Sequence, residues 1–205
     1  MPAYKLTYFD IRGYAEPIRM MFVVAGQPFE DVRLTAEEWP AVKPKMPFGE
    51  VPVLEVDGKM LPQTRAIKYF VAREFKLYGD SNWESAAIDV VGEIVFEIMK
   101  PFSEMMSEKD EAIKAEKKKK FEAALPAGFE KLDGELKKNK EGDGFFVGDK
   151  ISMADITVFA AFEYIEQAGG GVEIEKFPKL KALQGRVAAD KNMAAYLAKR
   201  KPTDF

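Results

Sequence analysis

A change in hydrophobic periodicity near residue 78 limits the folds open to this chain more than any other pattern in its sequence. Residues 4–75 mix short alternating segments, typical of strands, with segments of helical spacing. From Trp83 onward the strand signals stop, and apolar residues recur at helical spacing in long stripes. Residues 78–82 are mostly Gly, Asp, Ser and Asn, which favour a linker. The sequence predicts an α/β domain at residues 1–78 and an all-helical domain at residues 82–205.

The strand and helix signals of the first region follow a definite order. The predicted elements are a strand at 4–8, a helix at 17–25, a strand at 29–34, a hairpin that turns at Asp57-Gly58, and a helix at 67–75. Asp-Gly is a favoured two-residue hairpin turn, and Pro17 suits the first turn of a helix. The first region is therefore predicted to be β-α-β followed, after a connection, by β-β-α.

The composition limits the chemistry that this chain can perform. It contains no cysteine and no histidine, which excludes disulfides, thiol nucleophiles, imidazole bases and the usual zinc sites. Reactivity must come from hydroxyls, carboxylates, Lys or Arg side chains, backbone dipoles or a cofactor.

Charge and hydropathy indicate which partners to expect. The net charge of −3 does not indicate a nucleic-acid partner. The basic block at residues 114–120 is interpreted as a solvated helix face rather than an anion-binding patch. No apolar run approaches about 18 residues, and the N-terminus lacks a signal-peptide pattern. These features predict a soluble, cytoplasmic protein without a membrane partner.

Tyr8 lies where the first strand ends and its crossover begins, shortly before the turn signal Arg12-Gly13. Ligands in open α/β sheets commonly bind at such carboxyl ends. Tyr8 is therefore either a strand-end aromatic residue or a reactive hydroxyl.

Three further segments each allow a structural and a functional interpretation. Val51-Pro52 precedes an apolar strand, so the proline indicates an edge, a strand start or a cis bond. Gln63-Thr64 precedes a helix with Thr64 as its N-cap, and the free amides there are either simply capped or bind a carboxylate. Trp39 and Lys43 share one face if their segment is helical, and otherwise are surface residues.

The segment SMAD, residues 152–155, has the pattern of a capping box before an apolar helix. Its Asp155 is interpreted as structural, because the start of a buried helix needs its free amides satisfied.

Four segments occur in an order and spacing that resemble a known family: YKLTYFDIRGYAEPIRMMF, EEWPAVKPKMPFGEVPVLEVDG, LPQTRAIKYFVAREF and FVGDKISMADITVF. They resemble the cytosolic glutathione transferases, most closely the sigma class, which includes glutathione-dependent prostaglandin D synthase, invertebrate detoxifying enzymes and S-crystallins. The resemblance covers the whole chain. It implies a thioredoxin-like N-terminal domain, an all-helical C-terminal domain, a homodimer and a cis bond at Val51-Pro52. It also implies glutathione as a co-substrate, without a cofactor.

The resemblance also assigns roles to single residues. Tyr8 matches the catalytic tyrosine that donates a hydrogen bond to the glutathione sulfur. Trp39 and Lys43 match residues that contact the glycine end of glutathione, and the backbone of Val51 matches the partner of the cysteinyl unit.

The γ-glutamyl group of glutathione is expected to lie near three further residues. Gln63 and Thr64 match the pair that holds it, with Thr64 standing where the class usually has serine. The partner subunit's Glu97 stands where an aspartate usually approaches the γ-glutamyl amine. Tyr14 stands where the class usually has an arginine near the sulfur, so a neutral phenol replaces a cation.

The electrophile pocket is expected between the domains. Its predicted lining is Phe9, Tyr14, Met99, Phe102 and Met106. For Met99 and Phe102 core packing is an equally strong interpretation. Glu93 and Phe96 break the acidic cluster that binds a divalent metal in some prostaglandin synthases, so no metal is predicted.

These observations predict a transferase that conjugates the glutathione thiolate to hydrophobic electrophiles in detoxification. A glutathione thiol titrates near or above about 8.5, so the enzyme must favour its ionised form. Two alternatives stay open, a glutathione-dependent prostaglandin D isomerase and a non-catalytic ligand-binding or crystallin-like protein.

Overall fold

The structure is a computed structural model that describes residues 2–167 and 174–203. By their internal contacts these residues form two compact units. The first comprises the described parts of Met1–Leu77 and Ala188–Phe205, and the second comprises those of Tyr78–Val187. Along the chain, the first division between the two units falls after Leu77. The last helix, expected in the helical domain, instead packs with the first unit. The domain division at residues 78–82 stays a prediction.

The first unit is built on a four-stranded sheet with the order β2-β1-β3-β4. Its strands are β1 (Tyr4–Phe9), β2 (Glu30–Leu34), β3 (Val53–Val56) and β4 (Lys59–Pro62). β1 pairs in parallel with β2 and antiparallel with β3, and β3 pairs antiparallel with β4. The parallel pair requires a crossover connection, which α1 (Glu16–Val24) supplies. The predicted order of elements and the thioredoxin-like class are confirmed.

The helices of the first unit bury the apolar faces that their spacing predicts. In α1 the side chains of Ile18, Met21 and Phe22 are fully buried, and the Phe22 ring lies 5.3 Å from that of Tyr4 on β1. The remaining helices of this unit are α2 (Trp39–Val42), α3 (Thr64–Glu74) and a helix at Lys191–Lys199, which belongs to this unit by its contacts. Asp57 and Gly58 both have positive φ, 48° and 80°, as the predicted hairpin turn requires.

The regular elements among the described residues of the second unit are all helices. It contains α4 (Asn82–Met106), α5 (Glu111–Lys137), α6 (Met153–Gln167) and α7 (Pro178–Ala188), so Lys191–Lys199 is α8. Gly128 of α5 lets α4 approach closely, because a Cβ there would lie 2.5 Å from Ile98. Within residues 2–167 and 174–203, no helix is both long and apolar enough to cross a membrane.

The start of α6 is held by Asp155, whose side chain is fully buried. One carboxylate oxygen accepts hydrogen bonds from the Ser152 amide at 2.8 Å and the Ser152 hydroxyl at 2.6 Å. The other oxygen accepts one from the Phe146 amide at 2.9 Å. The carboxylate bond of the predicted capping box, from the Ser152 amide to Asp155, is therefore present, and the same carboxylate also fixes the loop before the helix. Burial raises the pKa of Asp155 to about 6, although these hydrogen bonds act to lower it.

The raised pKa of Asp155 gives its contribution to stability a definite pH dependence. The pKa of this carboxyl is 3.8 in the unfolded chain and about 6 in the folded protein. At a pH between these two values the folded protein holds a proton that the unfolded chain has released, so stability falls as pH rises. Asp155→Asn removes this titration. We expect the free energy of unfolding of the wild type, relative to Asp155→Asn, to fall by about 2 kcal/mol between pH 4 and pH 7.

Urea unfolding of both proteins across this pH range measures the difference. A difference that grows with pH would mean that the three hydrogen bonds outweigh the burial of the carboxylate.

Candidate functional site

A cavity of about 490 Å³ opens in the first unit beside the carboxyl end of β1. Its volume lies in the range of small-molecule sites. The residues that line it come from the loops after β1 and β2, the segment before β3, and the junction of β4 with α3. They are Phe9, Tyr14, Trp39, Gly49, Glu50, Val51, Pro52, Pro62, Gln63 and Thr64. Six predicted site residues are thus brought together: Phe9, Tyr14, Trp39, Val51, Gln63 and Thr64.

The N-terminus of α3 lies at the wall of this cavity. Gln63, rather than the expected Thr64, is the N-cap, and Thr64 is the first helical residue. Gln63 adopts φ 75° and ψ 115°, a rare conformation for a residue with a side chain. Its side-chain Nε2 donates a hydrogen bond to a carboxylate oxygen of Glu50 at 3.4 Å. The free amides and dipole of a helix N-terminus favour a carboxylate ligand, and Glu50 supplies a negative charge beside it.

Tyr8 lies next to the cavity lining and is only 5% exposed. The Tyr14 backbone N–H donates a hydrogen bond to the Tyr8 hydroxyl oxygen at 3.3 Å. A Cβ at Gly13, where φ is +43°, would lie 2.6 Å from Tyr8 Cε1 and 2.6 Å from its hydroxyl oxygen. The loop after β1 therefore packs directly on the phenol and needs glycine at position 13.

The chemistry of the Tyr8 hydroxyl follows from these contacts. Burial raises the pKa of Tyr8, and the hydrogen bond from the Tyr14 amide offsets this only in part. The phenol therefore stays protonated near neutral pH. Since its oxygen accepts from the Tyr14 amide, the hydroxyl proton can be donated to an anion beside Tyr14.

An aromatic series continues from Tyr8 into the cavity. The ring centroids of Tyr8 and Phe9 are 5.6 Å apart, and those of Phe9 and Trp39 are 5.3 Å apart. Lys43 follows α2 in a 3-10 turn (Lys43–Lys45) and lies against Gly49, with its Cε 3.4 Å from a Cβ built there. Lys43 therefore stands beside the lining and not in it. The Val51-Pro52 bond is cis, as the resemblance implies.

The other predicted site residues belong to α4 in the second unit. Phe102 is 6% exposed, and its ring centroid lies 5.4 Å from that of Phe121, so it packs in the core of that unit. Met99 and Met106 are half-buried. Glu97 is exposed and forms an ion pair with Lys131 at 2.8 Å. The proposed roles of these four residues in substrate binding stay predictions.

Sequence analysis missed the Glu50 carboxylate and the close contact of Gly13 with Tyr8. The position of Glu50 directly before the Val51-Pro52 pair is the signal that points to it. Among residues 2–167 and 174–203, no group of three or more Asp or Glu side chains could hold a metal ion.

Comparison with known proteins places this geometry in a family. Residues 4–73 match the profile of the glutathione S-transferase N-terminal domain, and residues 96–200 match that of the C-terminal domain. S-crystallin SL11 of Nototodarus sloanii is 38% identical over 206 residues, and the probable glutathione S-transferase 8 of Caenorhabditis elegans is 38% identical over 211 residues. Each alignment covers the whole of both chains.

Solved structures agree with these sequence matches. A Nu-class glutathione S-transferase from Haemonchus contortus is 37% identical with a TM-score of 0.86 and full coverage of both chains. A sigma-class enzyme from Fasciola hepatica is 29% identical with a TM-score of 0.89, covering 100% of this chain and 99% of the other.

The contact between Gly13 and Tyr8 predicts a large effect of Gly13→Ala. Its matched control is Gly58→Ala, because Gly58 also has positive φ but has nothing within 4 Å of an added Cβ. Gly58→Ala should cost about 1–2 kcal/mol for the backbone conformation alone. Gly13→Ala should cost a further ~1–3 kcal/mol for overpacking against Tyr8. Urea unfolding measures both values, and equal losses would show that the Tyr8 ring yields without cost.

Proposed function

Because the chain belongs to the glutathione S-transferase family, we propose that its cavity binds glutathione and that Tyr8 activates the glutathione thiol for attack on hydrophobic electrophiles. The observation that carries this proposal is the Tyr8 hydroxyl, which is buried, protonated and fixed by the Tyr14 amide beside a cavity. Such a group can stabilise a thiolate by donating a hydrogen bond. Glutathione is a co-substrate here, and the reaction needs no further cofactor.

The polar groups along the cavity fit the parts of glutathione in order. The α-carboxylate of the γ-glutamyl unit suits the N-terminus of α3 at Gln63 and Thr64. The Glu50 carboxylate beside Gln63 suits the ammonium group of the same unit. The backbone of Val51 pairs with the cysteinyl unit, and Trp39 and Lys43 hold the glycine end. With these contacts we expect the sulfur to lie toward the loop that carries Tyr14, within reach of Tyr8.

The energy required of Tyr8 agrees with the strength of one hydrogen bond. Lowering the thiol pKa by about two units needs roughly 2.7 kcal/mol of differential stabilisation. A hydrogen bond to a charged group supplies about 1.5–3 kcal/mol. The raised pKa of Tyr8 keeps its proton on the phenol, so the tyrosine acts as a donor and not as a base.

We further propose that the protein is a sigma-class enzyme of the cytoplasm. The motifs around Tyr8, Trp39 and Gln63 support the class, as does the likeness to the Fasciola hepatica sigma-class structure. Phe9 and Tyr14 line the cavity and form the part of the electrophile site that belongs to the first unit.

The likeness to S-crystallin SL11 favours a second candidate, a structural lens-type protein without turnover. Incubation with glutathione and an aryl halide separates the two, since only the enzyme forms the conjugate. Glutathione binding without conjugation of an aryl halide or reactive aldehydes, and without reduction of hydroperoxides, would support the second candidate.

Tyr8→Phe should remove the catalytic hydrogen bond and leave glutathione binding nearly intact. Losing about 1.5–3 kcal/mol of thiolate stabilisation corresponds to a fall of about tenfold to hundredfold in conjugation rate at neutral pH. Raising the pH should restore part of the rate, because hydroxide then ionises the thiol. A pH–rate profile with an aryl halide measures both effects.

Tyr4→Phe is the matched control for Tyr8→Phe. Tyr4 lies on the same strand, is also 5% exposed, and donates its hydroxyl to Glu74 at 3.1 Å. Its profile should equal that of the wild type. An unchanged profile in Tyr8→Phe would remove Tyr8 from the mechanism.

We also propose that the protein is a homodimer in which the partner subunit's Glu97 approaches the γ-glutamyl group. Large apolar side chains are exposed in both units: Phe48 is 77% exposed, Trp83 84% and Phe96 48%. Exposed aromatic side chains of this size are typical of interfaces.

Trp83→Glu should weaken this dimer, whereas Ile113→Glu should not. Ile113 of α5 is also apolar and 47% exposed, so it controls for the charge introduced. Light scattering at micromolar concentration should show a dimer for the wild type and Ile113→Glu, and dissociation for Trp83→Glu. A wild type that is monomeric and fully active would contradict the proposal.

A further inference from the structure

The first unit contains a buried network of charged side chains that the proposed mechanism does not use. Its centre is the pair Glu16 and Arg19 on α1, which are 1% and 0% exposed. Asp31 of β2 and Tyr196 and Arg200 near the end of the chain complete it. A buried ion network rarely adds net stability, because desolvation of the charges offsets their attraction. A role beyond stability is therefore worth testing.

Arg19 connects this network to the loop after β1. Its Nε donates to both carboxylate oxygens of Asp31 at 3.0 and 3.1 Å. Its Nη1 donates to the backbone carbonyls of Ile11 at 2.9 Å and Arg12 at 3.2 Å, and to Glu16 at 3.3 Å. The guanidinium carbon lies 6.0 Å from the centre of the Tyr8 ring. One side chain thus fixes two carbonyls of the loop that leads to Gly13 and Tyr14.

The end of the chain holds the other side of the network. The Tyr196 hydroxyl and Arg200 Nη1 each donate to the same oxygen of Glu16 at 2.9 Å. Burial and the Glu16 carboxylate raise the pKa of Tyr196, so this hydroxyl remains a donor. Thr203 lies beside the loop itself, because the Arg12 guanidinium donates to its hydroxyl at 3.3 Å and its carbonyl at 3.4 Å.

These contacts form a continuous path from α8 to the Tyr8 hydroxyl. Tyr196 and Arg200 hold Glu16, Glu16 holds Arg19, and Arg19 holds the carbonyls of residues 11 and 12. Two residues later the Tyr14 amide donates to Tyr8. A hydrogen bond accepted by a hydroxyl strengthens the bond that this hydroxyl donates. The direction of the Tyr14 amide therefore affects how well Tyr8 can donate to a thiolate.

We propose that Tyr196 and Arg200 are positioning residues that act through Glu16 and Arg19 to hold the Tyr14 amide on the Tyr8 hydroxyl. This inference rests on the proposed function of Tyr8. The other charged groups of the network are Arg33, which donates to Asp31 at 2.8 Å, and Asp10, which accepts from Arg33 at 3.2 Å. Both lie on the β2 side of Arg19 and stay in place when α8 is altered.

Tyr196→Phe tests the proposal, and Tyr4→Phe is again its matched control. Both variants remove one tyrosine hydroxyl that donates to a glutamate within the first unit. The first measurement is hydrogen exchange of the Tyr14 amide in the ligand-free protein. We expect this exchange to be about tenfold faster in Tyr196→Phe than in Tyr4→Phe. The rate reports the population of the locally opened loop, which would then be about tenfold larger.

The second measurement is the pKa of the bound glutathione thiol, taken from the pH dependence of conjugation. It should rise by about half a unit to one unit in Tyr196→Phe, so that the rate at pH 6.5 falls about threefold to tenfold and recovers at high pH. The KM for glutathione should stay within about twofold, because the groups that bind the peptide are unaltered. A purely structural role would leave the thiol pKa unchanged.

Arg200→Gln provides an independent variant, since it removes a different donor to the same Glu16 oxygen. It should shift both measurements in the same direction. Exchange of the Tyr14 amide equal to that of Tyr4→Phe, in both variants, would overturn the proposal, as would faster exchange with an unchanged thiol pKa. If the wild type forms no conjugate, the proposed function fails, and the exchange measurement still decides whether α8 holds the loop.

Discussion

The first unit depends on the hydrogen bonding of β1 on both of its edges. β1 pairs with β2 on one side and β3 on the other, so its backbone cannot shift without breaking one of the two pairings. Leu6, fully buried, anchors it to the core, and the strand ends at Phe9 beside the cavity. A reactive group on a rigid element is held more accurately than one on a loop. The position of Tyr8 is therefore set by the sheet, and only its hydrogen-bond partners belong to a loop.

That loop is held by charges whose burial is costly. Arg19 has no exposed surface, and its fork of donors is shared among one carboxylate of β2, another of α1 and two backbone carbonyls. A lysine could not bond in several fixed directions at once. The same guanidinium therefore joins the sheet, the crossover helix and the connecting loop, which no single apolar contact would do.

Local sequence patterns predicted the elements of this fold well, because their causes are local. The Asp57-Gly58 turn depends on two residues that tolerate positive φ, and the Asp155 capping box depends on residues three apart. The site residues Tyr8, Trp39 and Gln63 were assigned by resemblance to a family. Local patterns could not reveal that Gln63 caps α3 with a positive φ. Nor could they reveal the pairing of Glu16 with Tyr196, because the residues are separated by 180 positions.

The placement of α8 in the first unit has a consequence for synthesis of the protein. Glu16 meets Arg200 only after 184 further residues have been added. At about 5–20 residues per second, this takes roughly 10–40 s. During that time the nascent first unit has its sheet residues but lacks two of the hydrogen-bond donors to its buried glutamate, the Tyr196 hydroxyl and the Arg200 guanidinium. The part of the first unit that is synthesised early is therefore completed by a helix that is synthesised much later.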